Sequence, residues 1–308
     1  MLFNKQSLGL EISSDGFKMA VCGGRSEEPR LDLYSAGNCP PGTVHFSFKE
    51  MNILDPARFT AGIRETYLKL LTKLNRTSLS LPDSVGRIMI LDLETRFKSR
   101  SDGLDIIRWK LKKSFPFDIG GIYIDYQLLR ENETGGIKTL VSLIKSEVVN
   151  QYEELLLESG LEPNKIDMTT FNLLRLFSKR LELAGNSMIL SFFRGRLSIT
   201  VFYEDVLEFY RSKDISAGES EADHLFREIN SSLLVYRNNH PGHSFNEVFC
   251  VTAPEQSRDF IALATEATGL EPVPLFAGDF VARKRGISCD GQMLQNLAPA
   301  LGAALRNL

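Results

Sequence analysis

A strand–turn–strand pattern near the start of the chain recurs at its midpoint. Residues 8–22 form two apolar runs around a polar turn, and residues 188–202 repeat this pattern at a constant offset of 180 positions. Each copy carries a polar or acidic residue where its first strand ends, Glu11 in one and Ser191 in the other. A short apolar run follows each copy and predicts a third strand. A repeat at half the chain length predicts two similar lobes with a cleft between them, although two unrelated hairpins would also align this well.

The composition limits the classes of partner and cofactor. Hydrophobic residues make up 43% of the 308 residues and charged residues 24%, which is typical of a globular protein with about two domains. The formal net charge of −3 gives no overall attraction to nucleic acid, and we expect no such partner. The four cysteines are scattered without a CxxC pair, so no metal site is predicted. Because neither a secretory signal nor an apolar run of ~20 residues is present, we expect a cytoplasmic protein that reaches a membrane only through a partner.

A helix followed by a β-hairpin forms a compact unit that looks like an insertion into the first lobe. The first strand of the hairpin alternates between apolar and polar residues, as a half-buried strand does. Its apolar positions are Ile122, Ile124, Tyr126 and Leu128.

The helix of this unit carries the stretch Arg108-Trp109-Lys110-Leu111-Lys112-Lys113. Such a stretch resembles a patch that binds nucleic acid or lipid. We favour a simpler interpretation, in which the apolar face, including Trp109 and Leu111, packs in the core and the lysines face solvent. A peripheral contact with a membrane surface is the alternative.

Several stretches follow one another in an order that is more specific than any one of them. They are LGLEISSDGFKMAV (8–21), FPFDIGGIYIDYQLL (115–129), ESGLEPNKIDMTTFNLLRLF (158–177), SMILSFFRGRLSITVF (187–202), NEVFCVTAPEQSRDFIALATEATGLEPVPL (246–275) and LAPALGAALR (297–306). Together they resemble the PilM family, actin-like cytoplasmic proteins of type IV pilus assembly that are related to the cell-division protein FtsA.

The resemblance implies an α/β fold of the actin/RNase H-like type, with two lobes and an inserted FtsA-type subdomain. It assigns residues 1–86 and 149–185 to the first lobe and residues 87–148 to the inserted small α/β subdomain. Residues 186–290 form the second lobe, and residues 291–308 form a C-terminal helix that closes the first lobe.

The resemblance also implies a scaffold or adaptor that is peripheral at the inner membrane. It would bind the cytoplasmic N-terminal tail of an inner-membrane pilus assembly protein. The tail is expected in a groove between the first lobe and the inserted subdomain, near Ile122, Ile124, Tyr126 and Leu128. A secretion-type ATPase is a further expected partner, and self-association is left open.

Nucleotide binding in this fold depends on three loops. Two glycine-bearing hairpins cradle the phosphates with backbone N–H groups, carboxylates hold Mg²⁺ through water, and a Gly-Gly turn lies against adenine. Here Glu11-Ile12-Ser13 and Ser191-Phe192-Phe193 stand where the family has Asp-Ile-Gly, and Thr252-Ala253-Pro254 lacks the paired glycines. We expect Phe193 to enter the phosphate space and the site to have decayed. The prediction is a pseudo-ATPase with no catalytic residues and no cofactor.

The positions of this degenerate site are Glu11, Ser13, Ser14, Lys18, Ser191, Phe193, Arg194, Thr252, Ala253 and Gly302. Lys18, Arg194 and Arg196 could supply charge to a phosphate, but we favour their being solvated turn residues. Glu11 could hold a metal-bound water, or it could be an exposed carboxylate at a strand end without a role. Weak binding of ATP·Mg²⁺ is the alternative to a cofactor-free protein.

Two rival functions share the fold. An active actin-like ATPase, or a nucleotide switch, would need the three loops that this sequence has altered. A cytoplasmic component of type II secretion has a degenerate site, but that relative usually continues into a transmembrane helix. Because this chain stops at Leu308 without one, we rank it last.

Overall fold

The computed structural model describes residues 5–114, 119–132, 135–215 and 220–308. Its strands are β1 Ser7–Ser13, β2 Gly16–Arg25, β3 Glu28–Gly37, β4 Arg76–Leu81, β5 Arg87–Leu93, β6 Ile122–Glu131, β7 Ile137–Lys145, β8 Glu162–Met168, β9 Ser187–Phe193, β10 Arg196–Tyr203, β11 Val206–Asp214, β12 Glu247–Thr252, β13 Val273–Pro274 and β14 Ala282–Arg283. Its α-helices are α1 Pro56–Leu68, α2 Arg100–Ser114, α3 Ser146–Glu158, α4 Thr169–Leu176, α5 Ser178–Leu181, α6 Glu221–Asn239, α7 Ser257–Thr268, α8 Gly291–Asn296 and α9 Ala298–Leu305. Within these residues, no helix combines the length and apolar character that crossing a bilayer requires.

Two of the sheets are built in the same order. The six-stranded sheet runs β14-β3-β2-β1-β4-β8, and the five-stranded sheet runs β11-β10-β9-β12-β13. In each, three consecutive strands pair antiparallel, and the first of them also pairs in parallel with a later strand. The repeat predicted from the sequence is therefore confirmed.

Each sheet begins with a hairpin whose strands are joined by two residues. Ser14-Asp15 joins β1 to β2, and Arg194-Gly195 joins β9 to β10. In the first hairpin Gly16 has φ +150°, and a Cβ there would lie 2.2 Å from a carbonyl oxygen of β3. In the second, Arg194 and Gly195 have φ of 53° and 72°, which is the left-handed pair of a type I′ turn.

The helices lie between and outside the two large sheets. Helices α1 and α3 cover the outer face of the six-stranded sheet, and α6 and α7 cover the outer face of the five-stranded one. Helices α4, α8 and α9 lie between the sheets, where side chains from both join one buried cluster. The remaining sheet, β5-β7-β6, packs one face on α2. The two lobes thus share a core.

The alternation predicted for β6 is correct at three positions and wrong at the fourth. Ile122, Ile124 and Tyr126 pack on α2 as expected, but Leu128 is 49% exposed. The pairing of β6 with β7 shifts register between Leu128 and Arg130. Leu128 still pairs with Thr139 and is the last position before this shift, and a period-2 pattern does not show that packing against α2 has ended there.

The prediction that Trp109 lies in the core is also wrong. Trp109 is 62% exposed, whereas Ile107 and Leu111 are buried. Ile107 and Leu111 are four positions apart and share one face of α2, while Trp109 lies about half a turn away from each. A single large apolar side chain therefore projects from the polar face of α2.

Two boundaries differ from the expected domain assignment. The C-terminal segment forms two helices rather than one, because Pro299 has no N–H to continue α8 into α9. Residues 282 and 283, placed with the second lobe, form β14 and pair with β3 of the six-stranded sheet. The chain thus returns to the first lobe before α8 begins.

Helix α9 approaches its neighbours at backbone distance. All of its residues are buried. A Cβ at Gly9 of β1 would lie 2.0 Å from the carbonyl oxygen of Ala300, and a Cβ at Gly302 would lie 1.9 Å from the carbonyl oxygen of Asn172 in α4. Main-chain atoms cannot rotate away as a side chain can, so both contacts need glycine.

Substitution of Gly302 by alanine should therefore destabilise the protein severely. The added methyl group must push α9 away from α4, and we expect a loss of about 3 kcal/mol or more, seen as a lower melting temperature. Gly291→Ala is the matched control, because a Cβ at Gly291 meets no atom within 4 Å. Equal melting temperatures for the two variants would show that the contact of α9 with α4 is not tight.

Candidate functional site

The two short hairpins face each other across a cavity of about 270 Å³. The β1–β2 hairpin supplies one wall, the β9–β10 hairpin supplies the opposite wall, and the start of α4 lies between them. The predicted nucleotide-site residues that line the cavity are Glu11, Ser13, Ser14, Ser191, Phe193 and Arg194. The structure therefore brings together most of the positions identified in the two hairpins.

Glu11 is buried rather than exposed, which corrects one of the two interpretations of it. Its side chain is 2% exposed, and Oε1 lies 3.6 Å from Nε of Arg194, while Oε2 has no hydrogen-bond partner among the described residues. Burial raises the pKa of Glu11 above its ordinary value, although Arg194 and Lys18 oppose this shift. The carboxylate is thus held in a site where its charge is only partly compensated.

Arg194 spans the cleft from one lobe to the other. Its Nε lies 3.3 Å from Oδ1 of Asp15, and its Nη atoms lie 3.4 Å from the side-chain and backbone oxygens of Asn296. Its left-handed backbone conformation belongs to the turn that directs the side chain toward the opposite hairpin. The expectation of a solvated turn residue is wrong for Arg194.

Lys18 and Arg196 are not solvated turn residues either. The Lys18 side chain is 11% exposed and its Nζ lies 3.1 Å from Oδ2 of Asp15. The Arg196 side chain is 12% exposed and pairs with Asp214. Burial acts to raise the pKa of Asp15, but Arg194 and Lys18 outweigh it and hold that pKa below its ordinary value. Each of these cations is therefore already paired with a carboxylate.

The side chains of Ser13 and Phe193 both line the cavity between the two hairpins. The hydroxyl of Ser13 lies within hydrogen-bond distance of two acceptors in its own turn, Oδ1 of Asp15 and the carbonyl oxygen of Gly16. Phe193 is 4% exposed, joins the cluster between the sheets and also lines the cavity. The Arg194 guanidinium lies 6.0 Å from the centre of the Phe193 ring.

The remaining predicted positions lie elsewhere. Thr252, Ala253 and Gly302 do not line this cavity, and Gly302 is instead the contact point of α9 with α4. The carbonyl oxygen of Thr252 accepts a hydrogen bond of 2.9 Å from Nε2 of Gln295, which is buried. Gln295, a residue without a sequence signal, fastens the end of β12 to α8.

Asp83 is a buried carboxylate of the cavity lining that sequence reasoning missed. It follows β4, is buried, and accepts hydrogen bonds from the hydroxyl of Tyr210 at 2.7 Å and from the backbone N–H of Thr170 at 3.3 Å. Burial raises the pKa of Asp83 despite these bonds. Because Tyr210 belongs to β11, this pair is a second link between the lobes. A lone aspartate after an apolar strand was the only available signal.

A groove of about 290 Å³ separates the inserted sheet from the first lobe. Its residues come from β5–β7 and the start of α2 on one side, and from β8, α4 and the C-terminus of α9 on the other. They are Ile88, Arg100, Asp125, Tyr126, Gln127, Leu140, Ser142, Ile166, Asp167, Met168, Phe171, Arg175 and Arg306. A groove was expected at this place.

The side chains that line the groove are mostly not the four expected ones. Of those four, only Tyr126 lines it, because Ile122 and Ile124 point to the opposite face, toward α2. The alternate positions Asp125 and Gln127 face the groove instead. In a strand the apolar positions mark the face that is packed within the protein, so the polar positions between them face the other side.

Ion pairs border the groove on both sides. On the inserted subdomain, Arg100 pairs with Asp125. On the first lobe, Asp167 Oδ2 lies 2.9 Å from Nη2 of Arg175 and 3.6 Å from Nε of Arg306. Three arginines and two aspartates line the groove, so its charge is slightly positive. Among the residues that the structure describes, the strand β6 that borders the groove pairs with β7 alone.

The pairing of Arg194 with Glu11 can be tested by Arg194→Met, which keeps the length of the side chain and removes its charge. We expect a loss of about 3 kcal/mol at neutral pH, because the buried carboxylate loses its nearer counter-charge and keeps only that of Lys18. The pKa of Glu11 is raised, so the folded state keeps its proton to higher pH than the unfolded chain does. The stability deficit should therefore shrink as the pH falls through that raised pKa.

Melting curves across pH for the wild type and the variant measure this deficit. Arg285→Met removes an exposed arginine and is the control, with an expected change of about 0.5 kcal/mol or less. A deficit in Arg194→Met that stays constant from neutral to acid pH would show that the loss comes from packing and not from the ion pair.

No family model and no curated protein matches the sequence. Solved structures match it over almost its full length. The first is described as "PilM-PilN type IV pilus biogenesis complex"; the match covers 98% of both chains at 20% identity, with a TM-score of 0.83.

A protein of actin-like ATPase fold and unknown function from Bacteroides thetaiotaomicron matches with a TM-score of 0.51 at 13% identity, over 96% of each chain. The cytoplasmic domain of EpsL, from the type II secretion system of Vibrio cholerae, has a TM-score of 0.51 at 8% identity, over 96% of this chain and 94% of that one. The chain therefore has the actin-like fold, and its resemblance to PilM is confirmed at the level of the fold.

Proposed function

We propose that this protein is a scaffold of type IV pilus assembly that binds the cytoplasmic tail of an inner-membrane protein of the PilN type. The observation that carries the proposal is the groove between the inserted sheet and the first lobe. The likeness in fold to a chain solved in a PilM–PilN complex supports it. The expected secretion-type ATPase partner and self-association stay predictions.

The groove has the features that an extended peptide needs. Within the described part of the chain no strand pairs with the second edge of β6, so its backbone can hydrogen-bond to a peptide that adds to the sheet. Apolar side chains, among them Leu140 and Phe171, form part of its lining and can receive apolar side chains of the tail. Arg100 and Arg306 on the rim are paired with aspartates, but their side chains are 65% and 40% exposed, so their remaining N–H groups can donate to carbonyl or carboxylate oxygens of the tail. A short tail can thus be bound by backbone pairing, with apolar contacts for specificity.

The cleft between the lobes is poorly suited to ATP·Mg²⁺. Its lining includes the carboxylates Glu11, Asp83 and Asp214, which repel phosphate oxygens. The cations that might offset this are engaged, because Arg194 contacts Glu11 and Asp15, and Arg196 contacts Asp214. Phosphate binding would require these pairs to break, and the Phe193 ring lies beside them. We propose that the cleft joins the lobes without a nucleotide and that the protein is a pseudo-ATPase.

Thermal melting in the presence of two ligands tests this function. Millimolar ATP·Mg²⁺ should leave the melting temperature unchanged. The N-terminal cytoplasmic peptide of the PilN-type protein from the same organism should raise it, since a ligand at about 100 times its dissociation constant stabilises the fold by ~2.7 kcal/mol. A shift with ATP·Mg²⁺ and none with the peptide would favour the alternative of a nucleotide-switched protein.

The position of the peptide is tested by Ser142→Arg. Ser142 lies in β7 and lines the groove, so a long charged side chain there should fill the space for the peptide. We expect the affinity for the peptide to fall at least ~100-fold, about 2.7 kcal/mol, measured by calorimetry.

Ser231→Arg is the matched control, because Ser231 is an exposed residue of α6 in the other lobe. It should bind the peptide as the wild type does. Equal affinity of all three proteins would mean that the peptide does not bind in this groove.

A further inference from the structure

We propose that the exposed face of α2, formed by Arg108, Trp109, Lys112 and Lys113, binds the anionic surface of a lipid bilayer. We call these four residues the α2 basic face. The proposal goes beyond the scaffold function, because it concerns the protein alone, and it does not require that a peptide occupies the groove.

The geometry of α2 places the four residues together. At 100° per residue, positions 108, 109, 112 and 113 fall within about 140° of the helix circumference. Ile107 and Leu111 lie on the opposite side and are buried against the inserted sheet. All four residues of the α2 basic face are exposed. The face therefore points outward from a helix whose other side is fixed to the core.

The charge of this face is opposite to that of the whole chain. The formal net charge of the protein is −3, yet the α2 basic face presents three cations. Two carboxylates of α2 lie on this side: Asp102, whose Oδ2 accepts a hydrogen bond of 2.8 Å from the backbone N–H of Lys98, and Asp105, which lies 3.5 Å from Arg108 and is itself exposed. The Asp105–Arg108 pair leaves Lys112 and Lys113 with their charges directed to solvent. Positive charge is thus concentrated at one site of an acidic protein, where it can meet an anionic surface.

Trp109 gives the face its second property. The indole is 62% exposed, and the Nζ of Lys113 lies 3.5 Å from the centre of its ring. Tryptophan has an apolar body and a polar N–H, and the boundary between headgroups and acyl chains suits both. A lysine beside the ring can stay with the headgroup phosphates while the ring enters more deeply.

The occupant that fits best is a membrane surface and not an acidic peptide or nucleic acid. The face is the convex side of a single helix, with cations on either side of a projecting ring, which is the pattern of helices that lie in a membrane interface. A peptide would bury Trp109 only if the surface beside it were concave. Because a single ring inserts, we expect weak binding that depends on charge. For this face, the proposal replaces the expectation that the protein reaches the membrane only through a partner.

The chain contains one tryptophan, so its fluorescence reports on this face alone. The experiment mixes the purified full chain with vesicles that contain phosphatidylglycerol and, separately, with vesicles of phosphatidylcholine only. The anionic vesicles should shift the emission to shorter wavelength and protect the ring from iodide quenching. Both effects should disappear in about 1 M salt, where the Debye length is ~3 Å.

A double charge reversal, Lys112→Glu with Lys113→Glu, supplies the decisive comparison in vesicle co-sedimentation. Each lysine near an anionic surface contributes about fivefold to the partition coefficient, so the loss should be at least ~25-fold. Lys284→Glu with Arg285→Glu is the matched control, because it changes the net charge equally at two exposed residues of another surface. It should bind nearly as well as the wild type.

Several outcomes would overturn the proposal. Wild-type emission that is the same with and without anionic vesicles would do so, and this test requires no variant to fold. Equal losses in the two double variants would show an effect of net charge and not of the α2 basic face. A shift caused by polyglutamate or duplex DNA, but not by vesicles, would assign the face to another class of partner.

Discussion

Helix α9 packs between the two large sheets at distances that leave no room for a side chain at Gly9 or Gly302. The helix is the centre of a buried cluster to which both sheets contribute. Two lobes joined only by a flexible hinge could open freely. Here a buried apolar cluster joins the lobes, and opening them would expose its apolar surface to water. The packing of α9 and α4 between the sheets therefore fixes the relative position of the β1–β2 and β9–β10 hairpins, independently of the contacts across the cleft.

The contacts across the cleft depend on this fixed separation. Arg194 can reach Glu11 and Asp15 because the hairpins face each other at the length of one arginine side chain. A buried ion pair of this kind adds little net stability, since desolvation of the charges offsets their attraction. The pair instead favours one arrangement of the lobes over others. In any arrangement that moves Arg194 away from Glu11, a buried carboxylate is left with too little compensation of its charge. The pair thus selects the closed arrangement that α9 already permits.

The sequence predicted what depends on local pattern and missed what depends on tertiary contact. The two hairpins and their repeat were correct, because alternation and a two-residue turn are local properties. The exposure of Trp109 was predicted wrongly, and so was one of the two interpretations of Glu11, an exposed carboxylate. Neither the surroundings of a strand end nor the packed side of a helix is encoded at one position. Tyr126 was placed correctly in the groove, but Asp125 was overlooked, since the apolar alternation identifies the packed face and leaves the free one unmarked.

On the proposed function, this chain has the actin-like fold but not the nucleotide chemistry of an actin-like ATPase. Two hairpins that face each other across a cleft can be held together by a bound ligand or by side chains of the protein itself. In this chain Arg194 and the Asp83–Tyr210 pair already make that connection within the protein. An internal bridge is always present, whereas a ligand comes and goes. On the proposed function, the lobes therefore form a constant support, and any regulation acts where groups remain available, at the groove beside β6 and on the inserted subdomain.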